Sequence, residues 1–259
     1  MIAGVKSEVR KLLSVRSTYI LVGLALIYLI FYDFYIVGFE KGMHHGGAIS
    51  PLNPHFLMGE VTRAGGIVAP VLFSALVAVL LMAHEYRHNT IMYTLTASNS
   101  RSKTLLAKII AISVFAVIFS LLLEVLAPSL ALLGLHFHHA TVAHQQFYYF
   151  QFFWRTTFYS WAYAMIGIVL AIFLRNIVAS VAAIFLLPVT VEPLIGLLLS
   201  TNQQQYLPFT ALSSVINNGF FSKVTPGLLS AERSAIVAVG YIVVAWAVAW
   251  VIFLRRDAS

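Results

Sequence analysis

Residues 105–126 read LLAKIIAISVFAVIFSLLLEVL, with one lysine and one glutamate among otherwise apolar or small positions. A helix needs about 20 mostly apolar residues to cross the hydrocarbon of a bilayer, and this stretch has that length. The rest of the chain is of the same kind. Of 259 residues, 60% are apolar or aromatic and 10% are charged, against about 45–50% and 25% in soluble domains. So few charges cannot cover a soluble surface, and the apolar content excludes disorder. What remains is an integral membrane protein. The absence of cysteine excludes disulfide frameworks, thiolate metal sites and cysteine nucleophiles together.

Five further stretches have span length: 19–37, 66–83, 152–174, 177–200 and 235–254. The stretch that starts at residue 105 could run on to 135, but Pro128 is expected to kink or end it. The fifth span holds Pro188 and the pair Glu192-Pro193, which predicts a broken rod. Only Arg175-Asn176 separates spans four and five, which predicts a tight antiparallel hairpin. Six spans put both termini on one side. On that side lie Lys6, Arg10, Lys11, Arg16, Arg87, Arg101, Lys103, Lys108, Arg175, Arg255 and Arg256, against Lys41, Arg63, Arg155, Lys223 and Arg233 on the other. Cytoplasmic loops carry the excess of Lys and Arg, so both termini are expected in the cytoplasm. The net charge of +7 is then largely a topology signal and not a nucleic-acid footprint. The charged stretch before the first span, and the lack of a small-residue cleavage site after it, predict an uncleaved anchor. The expected architecture is a single all-α transmembrane domain over 1–259, in a cell membrane.

Two cytoplasmic segments carry more information than a solvated loop would. In 2–16, Ile2, Val5, Val9, Leu12 and Leu13 fall on one helical face, with Lys6, Arg10 and Lys11 away from it. That pattern predicts an interfacial amphipathic helix. The segment 84–104 interleaves polar residues with Ile91, Met92, Tyr93 and Leu95, a half-buried character. Here the sequence resembles the permease subunits of the ABC-2 family of ABC transporters. The resemblance lies in Glu85 at the inner end of span two, then Thr90, Ile91 and Leu95, then Ser100-Arg101 and Lys108 at the start of span three. Asn89 stands where that family usually has Gly. The opening Val5 to Ser17, the Leu207-Pro208-Phe209 segment and the closing Phe253-Leu254-Arg255-Arg256-Asp257 are also similar to the family's pattern.

The resemblance implies a pore-forming, non-enzymatic subunit, most often of an exporter, driven by a separate ATP-binding subunit that holds ATP and Mg. The chain is consistent with this, since it contains no G-x-x-x-x-G-K-[ST] loop. A second permease copy or a paralogue would complete the pathway. Segment 84–104 would be the coupling element, with Glu85, Arg87, Thr90, Leu95 and Arg101 as the contacts to the motor. Glu85 and Arg101 would pair with the motor or with each other. The 14% aromatic content suits a lipophilic or amphiphilic substrate.

A rival reading occupies the same place. His84-Glu85-Tyr86-Arg87-His88 is a complete H-E-x-x-H. On a helix its two histidines share a face and bind zinc, with the Glu as general base of a metalloprotease. It explains five residues, and no second motif supplies a third ligand. A six-span assembly or sensor protein without transport is a third class.

Four charged residues fall within or near the ends of spans: Asp33, Glu124, Arg155 and Glu192. Such residues usually face a bundle interior or a wet cavity. Asp33, Glu124 and Arg155 come out near the outer leaflet and are expected to form an outer salt-bridge cluster, with a place on the transport path or a hinge as the alternative. Glu192, between two prolines, is the first choice for a path or hinge residue. Outside, His136, His138, His139 and His144 are read chiefly as exposed loop residues, with a metal site or pH sensor as the alternative. The outer segment 201–233 is expected either to dip back into the leaflet or to form two surface helices.

Overall fold

The computed structural model describes residues 2–45, 54–62, 68–87, 100–140, 142, 149–217 and 229–255. Its elements are all helical. α1 (Ile2–Ser14) leads into α2 (Arg16–Leu29), which continues through a π-helical stretch, π1 (Ile30–Glu40), into α3 (Lys41–His45). Then follow α4 (Pro54–Thr62), α5 (Val68–Arg87), α6 (Arg101–His136) and α7 (Tyr149–Leu174). The fifth span is α8 (Ile177–Leu186), π2 (Leu187–Val191) and α9 (Glu192–Gly196). Two short helices, α10 (Thr201–Gln204) and α11 (Pro208–Asn217), precede α12 (Ala231–Arg255).

Among the described residues six helices are long and apolar enough to cross a membrane: Arg16–His44, Ala69–Arg87, Arg101–His136, Tyr149–Leu174, Ile177–Gly196 and Ala231–Arg255. α5 and α7 are the centre of the bundle, each 61% buried across its apolar window, whereas the first, fifth and sixth spans are only 17–22% buried. The central pair packs closely because small residues meet there. A Cβ on Gly167 would fall 2.6 Å from the Ala75 carbonyl oxygen. Ser74 Oγ donates to the Ser160 carbonyl at 3.1 Å, and Ser160 Oγ donates to the Ala116 carbonyl of α6 at 3.2 Å. Without a hydrophobic driving force in lipid, close backbone approach and interhelical hydrogen bonds are what hold helices together. Span one leans on α6 in the same manner: a Cβ on Gly38 would lie 2.5 Å from the Ala131 carbonyl oxygen.

The two proline-bearing spans differ. α6 runs unbroken through Pro128 to His136. Ala127, Ala131, Gly134 and Leu135 stay buried beyond the proline, so packing against span one outweighs the lost backbone hydrogen bond. The fifth span, by contrast, does change helix type over Leu187–Val191, between α8 and α9. Arg175 adopts a left-handed φ of 49°, and the Asn176 side chain caps α8 by accepting from the Ala179 amide at 3.1 Å. Those two residues complete the predicted hairpin. α11 buries one face, Ala211, Leu212, Ser214, Val215 and Ile216, and packs on α12 and α7.

Candidate functional site

At the end of the bundle where α1 lies, four charges converge. Lys108, on the second turn of α6, has a side chain with no solvent exposure and donates to Glu8 Oε2 at 2.8 Å and to Glu85 Oε1 at 2.7 Å. Lys11 donates to Glu8 Oε1 and to the same Glu85 oxygen, both at 2.7 Å. Two acids and two lysines thus form a neutral ring joining α1, the last turn of α5 and the first turns of α6. Burying lone ions would be costly; mutual pairing with charge-assisted hydrogen bonds is what makes the site tolerable. Burial works to raise the pKa of the Glu8 carboxyl. The Lys108 charge and the hydrogen bonds from both lysines outweigh it and hold that carboxyl below its ordinary range. Burial likewise opposes the Lys11 charge, but its hydrogen bonds to Glu8 and Glu85 raise its pKa.

The ring fixes α1 in place. Leu12 is buried beside it, and Gly4 comes close to α6, where an added Cβ would sit 3.5 Å from the Ala107 Cβ. The amphipathic face of α1 is therefore turned partly onto α6. Glu85 pairs with Lys11 and Lys108, and not with Arg101, whose Nη1 donates to the Leu254 carbonyl at 3.1 Å. That bond brings the C-terminal end of α12 to the same end of the bundle as α1. Arg87 is exposed at the end of α5, while Arg175 lies over the neighbouring Tyr86 ring, 5.3 Å from its centroid. Thr90, Leu95 and His88 lie outside the described residues. Glu85 Oε1 is thus bound by two ammonium groups, and among the described residues no group of three His, Cys, Asp or Glu is placed to hold a metal.

In the other half Lys41 pairs with Glu60 at 2.8 Å, but Asp33, Glu124 and Arg155 do not come together. Asp33 is fully buried in π1, and among the described residues neither of its oxygens has a hydrogen-bond partner. Glu124 Oε1 accepts from Ser120 Oγ at 2.6 Å and from Thr157 Oγ1 at 3.0 Å. Arg155 lies over the Trp154 ring at 5.7 Å and is drawn by the charge of Glu232. The expected outer salt-bridge cluster is not formed, because α6 and α7 offer hydroxyls to Glu124 before any cation reaches it. His138 packs its ring edge-on against Phe39, with centroids 4.4 Å apart, so it is not a free loop residue. His144 lies outside the described residues.

Glu192 has a defined structural task. Its Oε2 accepts from the Phe209 amide at 2.7 Å, and its Oε1 accepts from the Thr210 amide and, at 2.6 Å, from Thr210 Oγ1. A carboxylate from the fifth span thereby caps the N-terminus of α11, where orphan amide groups and the helix dipole favour an anion. It also lines a cavity of about 740 Å³ between α7, the fifth span and α10–α11. Sequence reasoning singled out Glu85, and it placed Lys108 within the ABC-2 pattern. It missed the partners of both, Glu8 and Lys11. The available signal was Glu8 itself, an acid about 40° from Leu12 on the helical wheel, at the edge of the apolar face.

The sequence profile of a family described as a protein of unknown function, DUF2705, matches residues 19–259. No curated protein matches the chain.

Proposed function

This chain belongs to the DUF2705 family, and we propose that it is the transmembrane permease subunit of an ABC-2-type transporter. It would export a lipophilic or amphiphilic substrate and sit in the cell membrane with both termini in the cytoplasm. Its energy would come from ATP hydrolysed on a separate P-loop subunit, and a second permease copy or paralogue would complete the unit. The observation that carries this reading is the buried ring of Glu8, Lys11, Glu85 and Lys108. A motor outside the membrane can tilt spans only through a cytoplasmic element rigidly joined to them. The ring clamps α1 to the ends of spans two and three that flank segment 84–104. Glu85, Arg87 and Arg101 stand at the edges of that segment, and Thr90 and Leu95 fall inside it.

The engagement of Glu85 by two lysines counts against its use as the general base of a zinc protease. The reading is tested by purifying the tagged chain from its native membrane in mild detergent. A stoichiometric P-loop ATPase and vanadate-sensitive ATP hydrolysis are the expected result. Purification without any ATP-binding chain, and with one tightly held zinc lost in His84→Ala, would overturn it in favour of the protease.

A further inference from the structure

The cavity beside Glu192 has a chemistry of its own. Its volume of about 740 Å³ falls within the range of about 300–1,000 Å³ common for small-molecule sites. Aromatic rings make a continuous wall: Tyr159 and Tyr163 have centroids 4.7 Å apart, and Tyr163 and Phe209 have centroids 6.1 Å apart. Phe185 contributes a further ring. Glu192 is the one charged residue among the described lining, and no lysine or arginine is included. At one end stand uncharged polar side chains, Thr201, Gln204 and Gln205. At its edge Val189, within the fifth span, is 74% exposed, an apolar side chain at membrane depth that in a bilayer meets lipid.

We propose that this cavity is a binding site for an amphiphilic monovalent organic cation that enters from the lipid. Aromatic faces attract cations through the ring quadrupole, most strongly where water is excluded. The Glu192 carboxylate supplies the countercharge, and its hydrogen bonds to α11 hold it in a fixed position at the wall. The apolar rim takes the hydrocarbon part of the ligand. An anionic amphiphile would meet a carboxylate with no basic residue among the described lining to offset it, and is disfavoured. The inference rests on the transporter reading only in treating the bound molecule as cargo. Binding itself belongs to this chain and is measured without any ATP-binding subunit.

The experiment uses the full chain in lipid nanodiscs with radiolabelled tetraphenylphosphonium as the probe. Expected is saturable binding above empty nanodiscs, displaced by unlabelled tetraphenylphosphonium and not by the neutral triphenylphosphine oxide at equal concentration. Glu192→Gln should weaken binding about tenfold, and Phe209→Leu by about three- to fivefold, the loss of one cation–aromatic contact. Because Glu192 also caps α11, a second variant leaves that cap untouched: Gln205→Lys places a cation at the polar end and should abolish saturable binding. Non-saturable binding, equal displacement by the neutral analogue, or full binding in Gln205→Lys would each overturn the proposal. None of these outcomes depends on whether an ATPase co-purifies, so failure here is distinct from failure of the transporter reading.

Discussion

Replacing Lys108 by methionine removes the most buried member of the ionic ring while keeping its length and apolar stem. Lys108 is wholly buried and touches both Glu8 and Glu85. Its loss leaves two carboxylates, 3% and 7% exposed, sharing the single cation Lys11. Breaking a buried ion pair by removing one partner costs about 3–5 kcal/mol. Lys11 still donates to both acids, which puts the expected loss at the low end, about 3 kcal/mol. At about 2–4 °C per kcal/mol for chains of 150–250 residues, the apparent melting temperature should fall by about 6–12 °C. The assay is thermal unfolding in nanodiscs. Lys11→Met, at a side chain 36% exposed, should cost about 1 kcal/mol or less. The double variant Lys108→Met with Glu85→Gln leaves the neutral pair Glu8–Lys11, so it should lose less than the sum of the single losses, by about 1 kcal/mol or more. Strict additivity, or Lys108→Met melting like the parent, would refute the ring as a coupled buried unit.

Four further outcomes can be measured. Gly167→Val drives a side chain into the Ala75 carbonyl and should destabilise by about 1–3 kcal/mol, read as a lower melting temperature; an unchanged value would refute the close α5–α7 contact. Glu192→Ala strips the cap from α11, costing about 1–2 kcal/mol, and should speed hydrogen exchange at Phe209 and Thr210. Asp33→Asn removes a buried acid that has no hydrogen-bond partner among the described residues and should leave the melting temperature unchanged or raised, since burying an ionisable group without a partner is costly; a marked fall would mean that Asp33 has a stabilising contact. For pH, Glu8 has a folded pKa below its ordinary 4.5 and Lys11 a folded pKa above its ordinary 10.5. The Glu8 contribution is therefore present above pH 4.5 and lost as pH falls through its lower folded value. The Lys11 contribution is present below pH 10.5 and lost as pH rises through its higher folded value. The melting difference between the parent and Glu8→Gln should accordingly persist at neutral pH and shrink only on the acid side.

The spans were legible because each depends on local composition, and hydrocarbon imposes one length on all of them. The hairpin at Arg175-Asn176 was legible for a similar reason: two residues between two spans allow little else. That the helix continues beyond Pro128 was not legible, because the cost of the proline is local, whereas what offsets it is packing on span one, contributed by Gly38 and its neighbours nearly a hundred positions away. α11 was left open between two readings because its buried face shows only against α7 and α12. Composition gives length and period; it does not give which helix a face meets.

The charged residues divide along the same line. Glu192 was read as a hinge residue from its two flanking prolines, which are local. Its actual hydrogen bonds, to the amides of residues 209 and 210, are not local. Glu85 and Lys108 stood out by spacing, yet the residues that complete their ring, Glu8 and Lys11, looked like ordinary members of an amphipathic helix with its cations toward headgroups. Burial changes their meaning. An exposed Glu8–Lys11 pair one turn apart would contribute a few tenths of a kcal/mol; with Glu85 of α5 and Lys108 of α6 added, the same two residues close a largely buried ring. The ring stands where an N-terminal helix must be held to the spans if force is to pass between them. A buried apolar contact would hold α1 as firmly but would tolerate sliding by a turn. Four complementary charges accept one register, and that is the property a coupling joint needs.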